Sequence, residues 1–317
     1  MQKNTEILSS IIENFNKSCA DLNTSNTISE ERFTLKVNEF IFNFPLKSKS
    51  TNKNLGYLQP KEWLVKEHKN NNLHEPGLVN MLLVLAKKFE DEKIRFWDIG
   101  ALYGYFSILA LEIFNNVEVF SIEANPYSCN YIESAKSELN SGNHHIINTF
   151  IDSKNREKQK KYISGYRFLN NGEYYQVIFK NIIKNVLNLF RKKKYDTIKP
   201  EKVHIDSSSL TSLIGNKNQF IDILKIDTEG YQARFLPSAA QNLIENKSII
   251  LLEFDELKEL EKFNSSNQKI CSPFLKNGYK LFWLDHRIKG AKLEIKNKIN
   301  ISMEVNSLAL LIPSEYT

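Results

Sequence analysis

The sequence predicts an α/β protein built on a doubly wound, mostly parallel sheet, and three observations carry that prediction. From about residue 75, short apolar runs alternate with helical segments, and parallel neighbours need a crossover helix between them. The runs are apolar almost without interruption, which is typical of strands buried on both faces. The last two runs have no helix between them, so an antiparallel last strand is expected.

The predicted elements follow one another in a regular order. Asn125 and Pro126 start a helix, because the Asn side chain caps the first turn and proline fits the first helical position. Asn277 and Gly278 end the last helix, since both tolerate left-handed backbone. Apolar spacing predicts helices at 77–88, 105–114, 125–139, from about 231 and at 255–276, and strands at 94–99, 117–122, 145–151, 221–226, 248–254, 279–284 and 307–312.

The chain of 317 residues divides by composition. Residues 1–74 are polar, with a weak helical pattern at 7–15 and a strand-like run at 37–44, and we interpret them as an N-terminal extension. Residues 75–317 form the main domain. It contains a basic insertion at 154–202, where 14 Lys or Arg stand against 4 Asp or Glu, so the positive charge of the chain belongs to this segment.

Composition also excludes several classes of protein. With 41% hydrophobic and 25% charged residues, the chain can bury a core, which rules out wholesale disorder. No apolar run approaches the roughly 20 residues that span a bilayer, and the first residues lack a signal-peptide pattern. Cys19, Cys129 and Cys271 lie far apart with no histidine at metal spacing, so neither disulfides nor zinc are indicated. We expect a cytoplasmic protein.

The turn after the first main-domain strand reads Asp98-Ile-Gly-Ala-Leu-Tyr-Gly104, and it lies where doubly wound sheets bind ligands. Gly100 and Gly104 let the backbone approach a ligand closely. A dinucleotide needs G-x-G-x-x-G around its pyrophosphate, but Leu102 breaks that pattern and Asp98 would repel phosphate. S-adenosylmethionine carries an ammonium, a sulfonium and no phosphate, so the same acid favours it. The alternative is a strand–helix turn without a ligand.

Two further acids follow the next strands. Glu123 ends the second strand 23 residues after Gly100, close to the spacing of about 20 residues at which a carboxylate binds ribose hydroxyls. Asp152 follows the third strand, and we expect it to accept a hydrogen bond from the adenine amine. Together with the turn, these acids predict S-adenosyl-L-methionine as the cofactor.

These residues belong to a wider resemblance. Residues from about 75 to 284 resemble an FkbM-type methyltransferase domain, on Asp98–Gly104, on Ile122-Glu-Ala-Asn-Pro126 and most specifically on Leu224-Lys-Ile-Asp-Thr-Glu-Gly230, with Ser248–Glu253 following. The resemblance implies a class I, Rossmann-like fold. It also implies S-adenosylmethionine-dependent methylation of hydroxyl oxygens in sugars, glycans or natural products.

Further cofactor contacts and three departures come with the resemblance. The implied cofactor contacts are Glu75, Ala101, Ala124 and Asn125. Leu102 stands where an Asn is usual, which removes a polar contact near the cofactor. The other departures are Gln232 in place of a usual Glu, and Pro237-Ser238 in place of a common glycine turn.

The fourth strand delivers the candidate catalytic residues. Asp227 and Glu229 follow it, and a hydroxyl acceptor must lose its proton to a nearby base. Lys225 would keep Asp227 ionised. The alternative is that both acids only cap the next helix. His204 is a further catalytic candidate, with a surface or structural role as its alternative. Two carboxylates can hold a divalent ion, but no second cluster completes a site, so no metal is predicted.

The centre of the insertion is amphipathic. Apolar side chains recur at helical spacing and predict a helix at 174–191, followed by Arg191-Lys-Lys-Lys194. Three interpretations stay open. The helix packs on the body or on a second subunit, it covers the acceptor pocket, or residues 174–194 contact anionic lipid at the inner membrane surface. The last would suit a lipid-linked acceptor.

Two other functions compete with O-methyl transfer. A nucleic-acid methyltransferase would draw on the basic insertion, but Asp227 and Glu229 would repel a phosphate backbone, so no nucleic-acid partner is predicted. A non-catalytic interaction protein on a decayed methyltransferase fold draws on Leu102 and Gln232. The sequence leaves the acceptor, the methylated position and the oligomeric state open, because a fold does not fix a substrate.

Overall fold

The computed structural model describes residues 11–18, 22–46, 60–164, 167–169, 171–190, 200–217, 220–300, 303 and 306–316. The strands are β1 (Thr24–Ile28), β2 (Arg32–Val37), β3 (Phe40–Pro45), β4 (Ile94–Ile99), β5 (Val117–Glu123), β6 (His144–Asn148), β7 (Phe150–Ile151), β8 (Arg156–Ser164), β9 (Arg167–Leu169), β10 (Glu201–Ser208), β11 (Ile223–Ile226), β12 (Ile249–Phe254), β13 (Tyr279–Leu284), β14 (Glu294–Lys296) and β15 (Ser307–Pro313). The helices are α1 (residues 11–18), α2 (Pro60–Glu67), α3 (Pro76–Lys88), α4 (Tyr105–Ile113), α5 (Pro126–Leu139), α6 (Asn171–Phe190), α7 (Leu210–Lys217), α8 (Gln232–Glu245), α9 (Leu257–Glu261) and α10 (Asn267–Lys276).

The central sheet has eight strands in the order β14-β13-β15-β12-β11-β4-β5-β6. The strands from β12 to β6 are parallel to one another, whereas β15 is antiparallel to both β12 and β13. This confirms the predicted doubly wound sheet with an antiparallel last strand. From β4 the chain moves outward through β5 and β6 and then returns to β11 on the other side. The switch point, where ligands bind in such sheets, therefore lies between β4 and β11.

Helices cover both faces of this sheet. On one face, α3 and α4 pack with buried strand residues and with N-terminal side chains that include Phe33 and Phe44. On the other face, α8 and α10 contribute Phe235 and Phe274 to a second buried cluster. Residues before position 75 thus share a core with the main domain, and the boundary proposed there stays a prediction.

Two predicted strands are divided in the structure. The run at 145–151 becomes β6 in the central sheet and β7 in a second sheet, and they separate at Thr149, whose N–H donates back to the carbonyl oxygen of Glu123 at 3.1 Å. The run at 37–44 spans a hairpin, because Asn38 turns the chain between β2 and β3 with a φ of 53°.

The predicted helix at 255–276 is also divided. The chain takes a left-handed conformation at Asn264, and Ser266 then caps α10 by accepting a hydrogen bond from the Lys269 N–H at 3.3 Å. The weak helical pattern at 7–15 lies partly outside the described residues, and α1 covers 11–18.

The insertion forms a second sheet and a helix. The sheet has the order β7-β10-β8-β9. The sequence did not predict β8, because most of its residues are charged. The predicted helix at 174–191 is found as α6, whereas Arg191–Lys194 lies outside the described residues. Tyr175 and Phe179 of α6 are 69% and 64% exposed. None of the described helices combines the length and the apolar character that crossing a membrane requires.

Candidate active site

The turn between β4 and α4 packs directly against the end of β11. Gly100 has a φ of +80°, and a Cβ atom on it would lie 1.8 Å from the carbonyl oxygen of Asp227. Any side chain at position 100 would therefore push the two strands apart. Gly104 precedes α4 with a φ of +71°, and Leu102 has a φ of +49°. An Asn tolerates that left-handed conformation better than a Leu, so the departure at 102 adds local strain.

Asp98 lies beneath this turn and is fully buried. Its Oδ2 accepts a hydrogen bond from Ser107 Oγ at 2.8 Å, and its Oδ1 lies 3.1 Å from Lys225 Nζ. Ser121 Oγ donates to Ser107 Oγ at 2.6 Å, and His144 Nε2 lies 2.7 Å from Ser121 Oγ. Since the Ser121 proton goes to Ser107, the His144 Nε2–H is the donor in that contact. The chain of bonds ends on Asp98 and supports the turn, and direct contact between Asp98 and a cofactor stays a prediction.

Glu123 faces the same turn from the end of β5. Its Oε2 accepts the Leu102 N–H at 2.8 Å and its Oε1 accepts the Asn125 N–H at 2.7 Å. Burial raises the pKa of Glu123 to about 7, against the opposing effect of these N–H groups. Each carboxylate oxygen retains acceptor capacity, which fits the two hydroxyls of a ribose. The Asn125 side chain caps α5 by accepting from the Tyr127 N–H at 3.0 Å, and its contact with the cofactor stays a prediction.

Asp152 makes an ion pair at the edge of the second sheet. Arg234 donates from Nε to Oδ1 at 2.9 Å and from its terminal nitrogen to Oδ2 at 3.1 Å. The Ser153 N–H also donates to Oδ1 at 2.7 Å. The predicted contact between Asp152 and an adenine amine would thus have to form beside a two-bond Arg pair, and it stays a prediction.

Asp227 and Glu253 meet at the carboxyl ends of β11 and β12. They share a hydrogen bond, and the Asp227 side chain is 30% exposed. Burial and the charge of Asp227 raise the pKa of Glu253. Lys225 Nζ lies 3.8 Å from Asp227 Oδ2. Burial alone would lower the pKa of Lys225, but the charges of Asp98 and Asp227 raise it.

Glu75 approaches this pair from the start of α3. It is buried, and its Oε1 lies 3.4 Å from His286 Nε2 and 3.6 Å from His74 Nε2. Burial alone would raise the pKa of Glu75, but the nearby His74, His286 and Lys225 lower it. Next to Glu75 opens a cavity of ≈ 820 Å³, whose walls include Asn70, Asn71, Asn72, His74 and Arg287.

The two remaining predicted catalytic residues are Glu229 and His204. Glu229 is exposed and takes a left-handed φ of 53°. His204 is exposed on β10, opposite Lys160 of β8, and the structure gives no contact between it and Asp227. Both assignments stay predictions. The alternative, that Asp227 and Glu229 cap α8, is not seen. The first N–H groups of α8 bond instead to Thr228 Oγ and to the carbonyl oxygens of Gly230 and Tyr231.

Gln232 explains one departure from the family pattern. Its side chain is fully buried, and its Nε2 donates to Asp255 Oδ2 and to the Glu253 carbonyl oxygen. Burial raises the pKa of Asp255 to about 7. A Glu at 232 would set two carboxyl groups against each other, so the amide is the residue that suits Asp255 here.

Sequence reasoning missed Glu253 and His286 as site residues. Glu253 ends β12 just as Asp227 follows β11, so the rule that acids at strand ends share one edge would have found it. His286 lies in a loop after β13, and no sequence signal links it to Glu75. Ala101 is buried in the turn after β4 and Ala124 is half-buried beside Glu123, and their contacts with the cofactor stay predictions.

This sheet order, in which one antiparallel strand lies between two strands of opposite direction, is the α/β fold of class I methyltransferases. The chain belongs to the FkbM methyltransferase family, because residues 98–281 match the methyltransferase FkbM domain. The family uses S-adenosylmethionine, for which the Glu123 carboxylate and the turn at Gly100 provide a suitable ribose and backbone site.

Several solved structures are similar to this chain. The FkbM methyltransferase of Methylobacillus flagellatus KT shares 10% identity and a TM-score of 0.41 over 75% of this chain and 54% of its own. An O-methyltransferase from Bacillus cereus in complex with SAH has 12% sequence identity and a TM-score of 0.36. The match covers 83% of this chain and 92% of that one. A precorrin-6y C5,15-methyltransferase from Geobacter metallireducens GS-15 has 15% sequence identity and a TM-score of 0.35. The match covers 73% of this chain and 85% of that one. No curated protein matches the sequence.

Proposed function

We propose that the protein transfers a methyl group from S-adenosylmethionine to a hydroxyl oxygen of a sugar, glycan or natural-product acceptor. One observation carries the proposal. The Asp227 carboxylate is partly exposed at the carboxyl edge of the sheet, while its own carbonyl oxygen touches the cofactor turn at Gly100. A base therefore stands beside the turn where the methyl donor binds.

The residues around Asp227 divide the chemistry among them. When bound, S-adenosylmethionine supplies an electrophilic methyl group. Asp227 accepts the proton of the acceptor hydroxyl, a contribution of roughly 10²–10⁴ in rate. Lys225 Nζ lies 3.8 Å from Asp227 Oδ2, and Glu253 holds the Asp227 carboxyl group in orientation by a hydrogen bond. Glu123 fixes the nucleoside, so that donor and acceptor meet in line, which is worth about 7–11 kcal/mol.

The cavity beside Glu75 suits an acceptor with several hydroxyls. Its walls carry amide, carboxylate and guanidinium groups from Asn70, Asn72, Glu75 and Arg287, in a volume of ≈ 820 Å³. Arg287 also donates to Glu253 at 2.9 Å, so the cavity opens next to the acid pair. Groups that both donate and accept hydrogen bonds favour a sugar-like acceptor over an apolar one.

The insertion supports an acceptor carried on a lipid. Tyr175 and Phe179 are exposed on α6, and Lys180 is exposed on the same helix. An amphipathic helix of this kind binds anionic membrane surfaces. We propose that α6 contacts anionic lipid at the inner membrane surface. Sedimentation with anionic vesicles tests this, and Tyr175→Asp/Phe179→Asp should abolish it.

Cofactor binding and methyl transfer test the proposed activity. S-adenosylhomocysteine titrated by calorimetry should bind wild type and Asp227→Asn alike. Transfer of labelled methyl groups to a panel of sugars, polysaccharides and lipid-linked glycans should fall by about 10²–10⁴ in Asp227→Asn. Asp206→Asn, an exposed Asp on β10, is the matched control and should keep full transfer.

Three results would count against the proposal. Absence of S-adenosylhomocysteine binding would favour a non-catalytic scaffold. Labelled nucleic acid would favour the rival methyltransferase. Unchanged transfer in Asp227→Asn would remove Asp227 as the base.

A further inference from the structure

Three side chains from distant parts of the sequence converge beside the acid pair. Glu75 starts α3, Glu253 lies near the end of β12 and His286 follows β13. Each offers one potential ligand atom, and these atoms all lie within 4.8 Å of one another. His286 is 1% exposed and Glu75 is 7% exposed, while the Glu253 side chain is 12% exposed.

The backbone holds two of these residues in fixed relation. The Gly77 N–H donates to the His286 carbonyl oxygen at 2.9 Å. A Cβ atom on Gly77 would lie 2.5 Å from a Leu284 methyl group and 2.8 Å from His286 Cα, so the start of α3 and the β13 loop pack without space between them. The positions of Glu75 and His286 are thus set by the fold.

The charges at this place are unbalanced. Glu75, Asp227 and Glu253 meet there, and Lys225 already pairs with Asp98 at 3.1 Å. Arg287 contacts Glu253 but is half exposed to solvent. The His286 imidazole is also poorly satisfied, because Nδ1 has no hydrogen-bond partner and Nε2 has only the 3.4 Å contact with Glu75. A buried imidazole beside surplus carboxylates calls for a cation.

We propose that Glu75, Glu253 and His286 form a binding site for a divalent cation. Two carboxylate oxygens and one imidazole nitrogen are a mixed donor set, which suits Mn²⁺ better than the all-oxygen preference of Mg²⁺ or the thiolate preference of soft metals. Three protein ligands leave further coordination positions open.

The open positions suggest what the cation does. An acceptor hydroxyl bound there would lose its proton more readily, since a divalent cation lowers the pKa of a bound hydroxyl. This role rests on the proposed function, whereas the cation site itself does not.

The test uses the full chain, freed of metal by a chelator and titrated with MnCl₂. Electron paramagnetic resonance of free Mn²⁺ should show one ion bound per chain, and its pulsed form should show coupling to an imidazole nitrogen. His286→Gln should weaken Mn²⁺ binding by at least about 10-fold. His145→Gln, a partly exposed His paired with Glu118, is the matched control and should bind like wild type.

Each outcome decides the matter. Wild type without stoichiometric Mn²⁺, or bound Mn²⁺ without nitrogen coupling, overturns the site whether or not the variants fold. Equal affinity in folded His286→Gln and His145→Gln also overturns it. S-adenosylhomocysteine binding is measured on the same samples. Binding of S-adenosylhomocysteine without Mn²⁺ removes only the cation site, and binding of Mn²⁺ without S-adenosylhomocysteine supports the site and removes the proposed function.

Discussion

Replacing Lys225 with Met should destabilise the fold far more than the loss of a surface charge. Lys225 Nζ lies 3.1 Å from Asp98 Oδ1, and their side chains are 5% and 1% exposed. Removing one partner of a buried ion pair costs about 3–5 kcal/mol, because the other charge is left unpaired. At an m-value of about 3 kcal/mol per M, the urea midpoint should fall by about 1 to 1.7 M. Circular dichroism during urea titration measures this shift.

Two further variants make the measurement decisive. Arg32→Met breaks the exposed pair with Glu138, whose side chains are 45% and 38% exposed, and it should cost no more than about 1 kcal/mol. The double variant Lys225→Met/Asp98→Asn removes both buried charges and should recover most of the lost stability. If Lys225→Met is no more harmful than Arg32→Met, or if the double variant is as unstable as the single one, the buried pair is not what holds the turn.

Three other predictions follow from the site. Gly100→Ala should abolish S-adenosylhomocysteine binding by calorimetry, because its Cβ would overlap the Asp227 carbonyl oxygen at 1.8 Å; retained binding would contradict the packing. Burial lowers the pKa of His144 to about 4, so the unfolded chain binds the extra proton first and stability is lost as pH falls from about 6.5 to 4. That loss should be about 3 kcal/mol larger in wild type than in His144→Gln by urea unfolding, and parallel pH profiles would refute it. Gln232→Glu should destabilise by about 2–4 kcal/mol at pH 8 and by less at pH 5, where a proton can be shared with Asp255; a pH-independent cost in urea titrations would argue against the buried contact.

The prediction of the central sheet succeeded because its signals are local. Four elements begin at the residues that the sequence indicated: β4, α4, β5 and α5. Each of them has an uninterrupted apolar pattern or a capping signal such as Asn125. Elements shaped by tertiary contacts were harder to predict. β8 is mostly charged, and it forms a strand by pairing with β10 and β9. The break between β6 and β7 comes with a hydrogen bond from Thr149 to the Glu123 carbonyl oxygen.

In the candidate site too, local sequence signals could be predicted and tertiary contacts could not. Acids at strand ends could be found from the sequence, and Asp98, Glu123 and Asp227 do end neighbouring strands. Their orientation could not be found, because it depends on which strands are adjacent. Asp98 turns toward Lys225 since β4 and β11 place these two residues directly opposite each other. His286 comes from a loop, whose position relative to Glu75 only the folded chain defines.

The contact between Gly100 and the Asp227 backbone has a consequence for how such an enzyme can diversify. Because the Asp227 carbonyl oxygen lies against Gly100, a backbone shift at either position moves the other, so the proposed methyl-donor turn and the proposed base keep a fixed relation. If the proposed function holds, we expect new acceptor preferences to arise in the cavity wall supplied by residues 70–75 and 287–289. Libraries aimed at altered selectivity should be concentrated in those two segments, and the sheet edge should be left untouched.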